Sequence, residues 1–120
     1  MIYGKKSMNK QEIEFQESFL IIQKNYILKL QKQILRINII KTELKADPPD
    51  ENLLKELYQL AHSICGSSAM FNLLRISDIA CELESLLKAI LNSNTKYTNQ
   101  YSQIVDLINQ LNNKLSELEN

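Results

Sequence analysis

His62 is the only histidine of the chain, and Gly66, one of only two glycines, follows it by four residues. A neutral imidazole is a nucleophile and a proton carrier near neutral pH. A glycine inside a helical pattern destabilises it by about 1 kcal/mol relative to alanine. Its place one turn from His62 predicts that something must come close to the helix there. Around the pair stand Ser63, Cys65, Ser67 and Ser68, with a second cysteine at Cys81.

A helical wheel over this segment separates two faces. Leu53, Leu54, Leu57, Tyr58, Leu60, Ala61, Ile64, Cys65, Ser68 and Phe71 share one broad arc, predicted to face a core. Lys55, Gln59, His62 and Gly66 form a separate row on the water-facing flank. Residues one turn apart lie about 5–6 Å from each other, so Gly66 leaves a notch beside an exposed imidazole.

Other chemistries are weaker on the same residues. His62 and Cys65 could ligate a metal with Cys81, but zinc sites use three or four protein ligands, and no metal is expected. Gly66, Ser67 and Ser68 lack the lysine and the strand-loop-helix setting of a phosphate-binding loop. Ser63 points about 100° from His62 on the wheel, and Glu82 and Glu84 do not share a helical face, so no hydrolase constellation appears. Tyr58, Tyr97 and Tyr101 are candidates for hydrogen bonds at the edge of the core.

The elements that position His62 are helical. Two glycines and two prolines in 120 residues are too few for a turn-rich sheet protein. Residues 9–44 are predicted helical, with Ile13, Phe19, Ile22, Tyr26, Leu30, Ile34, Ile37, Ile40 and Leu44 as the apolar series; the length is unusual for one helix, so a break or kink is expected near Lys24 and Asn25. Asp47, Pro48, Pro49 and Asp50 must turn the chain, because proline disfavours helical geometry in the residue before it. Asp50 is placed to cap the next helix, over residues 51–70. Asn72, which tolerates left-handed backbone, is expected to stop it. Further helices are expected over residues 74–91 and 97–118, separated by a polar loop at 92–95. Residues 1–8 read as a loose lead-in to a single domain spanning 1–120. The fold class is all-α, an up-and-down antiparallel four-helix bundle with an additional N-terminal helix or helix extension.

Composition narrows the setting. Apolar residues make up 44% and charged residues 23%, as in ordinary soluble domains. Residues 1–45 carry nine basic and four acidic side chains, and residues 46–120 carry five and ten. The basic half suits a nucleic acid or an acidic membrane only weakly, because its lysines are spread along a long helix. The apolar run Phe19-Leu20-Ile21-Ile22 falls far short of the ~20 residues that span a bilayer, and no secretory signal is expected from the polar, basic stretch Met1 to Lys10. Two cysteines at helical positions predict free thiols in a reducing cytoplasm.

The segment Ala61-His62-Ser63-Ile64-Cys65-Gly66-Ser67-Ser68-Ala69, with Phe71-Asn72-Leu73 and then Ala80-Cys81-Glu82-Leu83-Glu84, resembles the histidine-containing phosphotransfer domain family. The family pattern is roughly A-H-x-L-K-G-S-[AS]-x-x-F-G-L, followed by a leucine-rich helix ending A-x-x-L-E. The resemblance implies a helical bundle that carries a phosphoryl group on His62. It would pass between receiver-domain aspartates of a hybrid sensor kinase and a response regulator. The carrier would have no cofactor of its own, the Mg²⁺ being held by the receiver. It would be no autonomous kinase, and neither nucleic acid nor membrane is an expected partner. Lys55, Gln59, Ser63, Cys65, Gly66, Ser67 and Arg75 are the expected docking and support residues. The sequence departs from the family pattern at two positions. Cys65 stands where the family carries lysine, which leaves Lys55 and Arg75 as candidate cations, and Asn72 stands where glycine is common. The first departure motivates an alternative, a helical adaptor that binds a receiver or helical partner without phosphoryl transfer.

Overall fold

The computed structural model describes residues 8–44, 49–92 and 100–119. They form four helices, α1 (Lys10–Glu43), α2 (Glu51–Met70), α3 (Leu74–Asn92) and α4 (Tyr101–Glu119), with no strand among the described residues. The expected lead-in at 1–7, the turn at Asp47 and Pro48, the polar loop at 93–95 and the helix start at Tyr97 lie outside them.

Side chains begin two of the helices. The Asn9 side chain accepts from the Glu12 backbone N–H at 2.8 Å and donates to the Glu12 carboxylate at 3.2 Å. Asp50 accepts from the Asn52 backbone N–H at 2.8 Å, the cap expected of it. Asn72 ends α2 with φ of 62°. The Leu73 N–H reaches the Ser68 carbonyl and the Asn72 N–H the Ala69 carbonyl, which satisfies the last carbonyls of the helix in a Schellman arrangement.

Cross-helix contacts fix an up-and-down order. Gln23 meets Phe71, Tyr26 meets Ser68, Gln33 meets Ser63 and Arg36 meets Glu56, so numbers rise on α1 as they fall on α2. Gln31 with Glu119 and Asn38 with Asn112 run α4 against α1 in the same way. The Tyr101 hydroxyl donates to the Lys41 carbonyl at 3.3 Å. Leu30, Ile37 and Ile40 of α1, Leu57, Ala61 and Ile64 of α2, Ala80, Leu83 and Leu87 of α3, and Ile104, Ile108 and Leu111 of α4 are sealed from solvent. Each buried leucine or isoleucine contributes about 1.5–3 kcal/mol, which outweighs any local propensity term.

Two expectations for α1 are corrected. The helix runs unbroken through Lys24 and Asn25. It contains neither proline nor glycine, and it is anchored there. Tyr26 stacks on Phe71 with centroids 4.5 Å apart, its hydroxyl is 2.9 Å from that of Ser68, and Gln23 donates to the Phe71 carbonyl. Burial pushes the Tyr26 phenol above its ordinary value of 10.0, against the opposing hydrogen bonds with Ser68 and Ser67. The apolar series also extends beyond its partners. Ile13 and Ile22 are exposed, because α2 stops at Met70, level with Tyr26. No separate N-terminal helix is present among the described residues; α1 has 34 residues where α2 has 20 and α3 and α4 have 19 each.

A third correction concerns the cysteines. Cys65 and Cys81 form a disulfide joining α2 to α3, with Cα atoms 4.9 Å apart. The expected free thiols are absent, because the two helices pack closely enough through Ala61, Ser68, Ser77 and Ala80 to bring the sulfurs together. The Ser77 hydroxyl donates to the Cys65 carbonyl at 2.7 Å in the same seam.

Two measurements follow from these contacts. Asn72→Ala is expected to lose about 1 kcal/mol in chemical denaturation, the strain of a left-handed alanine, while Asn72→Gly loses none. Arg36 donates twice to Glu56, at 2.6 and 2.8 Å, and this hydrogen bonding holds the Glu56 carboxyl below its ordinary value of 4.5. The folded chain thus binds that proton more weakly than the unfolded chain. The stabilisation is present above about pH 4.5 and fades as pH falls through the lower folded value. Urea midpoints across this window should show a small slope in the native chain that Glu56→Gln removes.

Candidate functional site

The site is built on the outer seam between α2 and α3. The antiparallel hairpin turns at Asn72 and Leu73, and residues equally far from Leu73 face each other: His62 and Glu84 at eleven, Cys65 and Cys81 at eight. The His62 side chain is 70% exposed, so the ring is open to an incoming protein. Tyr58, one turn before it, lays its ring nearly parallel at a centroid distance of 6.3 Å. One turn after it, the position that a Cβ on Gly66 would take has nothing within 4 Å.

The ring has a defined orientation. His62 Nδ1 is hydrogen-bonded to Glu84 Oε2, and the Glu84 side chain is only 20% exposed. An ionised carboxylate only accepts, so Nδ1 carries the proton in this pair. In the neutral ring the lone pair is then left on Nε2. A hydrogen bond to one ring nitrogen thereby decides the chemistry of the other. The arrangement presents an oriented nucleophile at the surface, with a carboxylate behind it to offset positive charge on the ring.

The remaining sequence-derived residues divide between two sides. Lys55 and Gln59 continue the exposed row before His62, with Lys55 also 3.7 Å from Glu51. Ser63 turns toward α1, where Gln33 donates to it at 3.3 Å, and Ser67 turns toward Tyr26. Cys65 is held in the disulfide, which also removes the thiolates a metal would need. At ~1.5 Å per residue, Lys55 lies ~10 Å along the axis from His62. Arg75 lies ~14 Å from the Glu84 level on the same scale, in a hollow at the end of the bundle with Asn72, Lys114 and Glu117. Among the cations of α2 and α3 the nearest in register is Lys88, exposed and one turn beyond Glu84 on α3.

Glu84 and Lys88 were not singled out from the sequence. Glu84 was visible as the end of the leucine-rich motif and as a poor acid–base partner of Glu82. Counting outward from the Asn72 turn in both directions would have placed it opposite His62 and would have paired the cysteines as well. Gly66 has no packing role within its own chain. Gly66→Ala is expected to raise stability by about 0.5–1 kcal/mol in urea unfolding, the ordinary helix preference; a fall would mean that the fold itself requires the glycine.

A family model for the Hpt domain matches residues 17–120 of the chain. No curated protein and no solved structure matches it.

Proposed function

The chain belongs to the histidine-containing phosphotransfer (Hpt) domain family, whose members are phosphoryl carriers of two-component signalling, and from that premise we propose that it is a phosphorelay intermediate phosphorylated on His62. The observation that carries this reading is the exposed His62 ring with its Nδ1 held by Glu84. Nε2 attacks the phosphorus of an aspartyl phosphate on a receiver domain. The N–P bond forms as the P–O bond to the aspartate breaks, and the aspartate leaves as a carboxylate. The proton stays on Nδ1, and Glu84 offsets the positive charge that the phosphorylated ring acquires. The reverse step, on a second receiver, discharges the ring.

Little else is asked of the carrier, since in-line phosphoryl transfer depends on positioning and charge neutralisation. The receiver supplies the aspartate and the Mg²⁺. The row from Lys55 through Gln59 to Gly66 forms the docking face, with Lys88 the cation of α2 and α3 closest in register to the ring. Arg75 lies beyond that row, in the hollow at the end of the bundle. Hybrid sensor kinase and response-regulator receivers are the partners, and the proposed setting is the cytoplasm. No described helix is long and apolar enough to cross a membrane.

One observation favours a second reading. The family lysine position is held by Cys65, half of a disulfide, so a receiver could dock here without transfer. Incubation with a phosphorylated receiver decides between the two. Acid-labile label is expected on the native chain and none on His62→Gln. Receiver binding without any label, unchanged by His62→Gln, would establish the adaptor instead.

A further inference from the structure

The Cys65–Cys81 bridge and the His62–Glu84 pair are adjacent rungs of one ladder. A step of three residues forward along α2 is matched by a step of three back along α3. A step of three is just under one helical turn, so the bridge lies beside the pair it flanks. We propose that this cystine positions Glu84 against His62, and that its reduction makes the reactivity of His62 redox-dependent. The idea rests on the reading of His62 as the phosphoryl-carrying residue.

The hairpin does not need the bridge merely to close. Leu57, Ala61, Ile64 and Ser68 bury against Ile76, Ala80, Leu83 and Leu87 along the core side, and the three-residue connection Phe71, Asn72, Leu73 holds the helix ends together through its own backbone bonds. The Ser77 hydroxyl adds a tie to the Cys65 carbonyl on the side of the bridge away from His62. On the solvent side of the seam the two covalently joined residues stand between this tie and the histidine. Glu84 lies at the rim, beyond the bridge, so its distance from an exposed ring depends on how firmly the two helices are clamped there.

The bridge is also reachable. Both cysteines are only partly buried, and Cys81 borders an open groove with Asp78, Glu82, Ser85, Leu86, Gln103 and Leu107. A dithiol reductant can enter from that groove. Its thiolate attacks one sulfur of the cystine and forms a mixed disulfide, and its second thiol then displaces the remaining cysteine. The S–S bond is exchanged for two thiols, two electrons and two protons pass to the chain, and the dithiol leaves as its own disulfide. Cytosolic disulfides are characteristically transient and redox-sensing.

The sole histidine makes the test direct. The full-length chain is labelled with ¹⁵N and compared oxidised, after dithiothreitol, and as the Cys65→Ser/Cys81→Ser variant. The two ring-nitrogen shifts report the tautomer, and a small phosphoramidate donor reports phosphorylation without any receiver. The oxidised chain is expected to hold the proton on Nδ1. Reduction should shift the tautomer toward Nε2–H and slow phosphorylation about tenfold, within the hundredfold that a 1 Å misplacement can produce. The double variant should match the reduced chain and ignore dithiothreitol. Glu84→Gln should be slow in both redox states. Reduction that leaves tautomer and rate unchanged overturns the proposal, and so does reduction that unfolds the helices in circular dichroism, since the bridge would then be a plain staple. A chain whose tautomer responds to reduction, yet which never accepts phosphate on His62, would instead sink the relay reading and leave the positioning intact.

Discussion

The antiparallel register of α2 against α3 is the constraint on which the rest of the molecule depends. Asn72, in left-handed backbone, reverses the chain within three residues, and a tight reversal leaves little freedom in which residues then face each other. Small side chains in the seam allow a close approach. The same register places a carboxylate beside the histidine and a sulfur beside a sulfur. A slip of one residue would rotate every seam position by about 100° and dissolve both pairs together.

Given that register, the chemistry needs few residues. The His62 ring is kept exposed while the Glu84 carboxylate bonded to it is four-fifths covered. Covering the carboxylate strengthens its hold on the ring, and exposing the ring leaves its other nitrogen to a partner. Gly66 keeps the approach open without serving the chain's own packing. Membership of the Hpt family accounts for the spacing of histidine, glycine and phenylalanine. The disulfide at the family lysine position makes this chain depart from the family pattern.

The first helix illustrates how a stripe and a contact differ. Apolar residues recur along nearly all of α1, yet only from Tyr26 onward are they buried. Burial requires a partner at the same level, and α2 ends where Tyr26 meets Phe71. The same anchor lies beside Lys24 and Asn25, where the length of the helix suggested a break and the helix instead runs on. A series of side chains records what a helix is able to bury; the lengths of its neighbours decide how much is buried.

The sequence by itself determined the helices, the cap at Asp50, the stop at Asn72, the core-facing positions of α2 and the exposure of His62. All of these follow from interactions within a few residues, where helical periodicity and backbone preference act directly. Tertiary structure decided that Ser63 and Ser67 turn to α1, and it made the pairing of Glu84 with His62 and of the two cysteines actual once the helices were set antiparallel about the Asn72 turn. These depend on how one helix is set against another, which the period of a single helix does not encode.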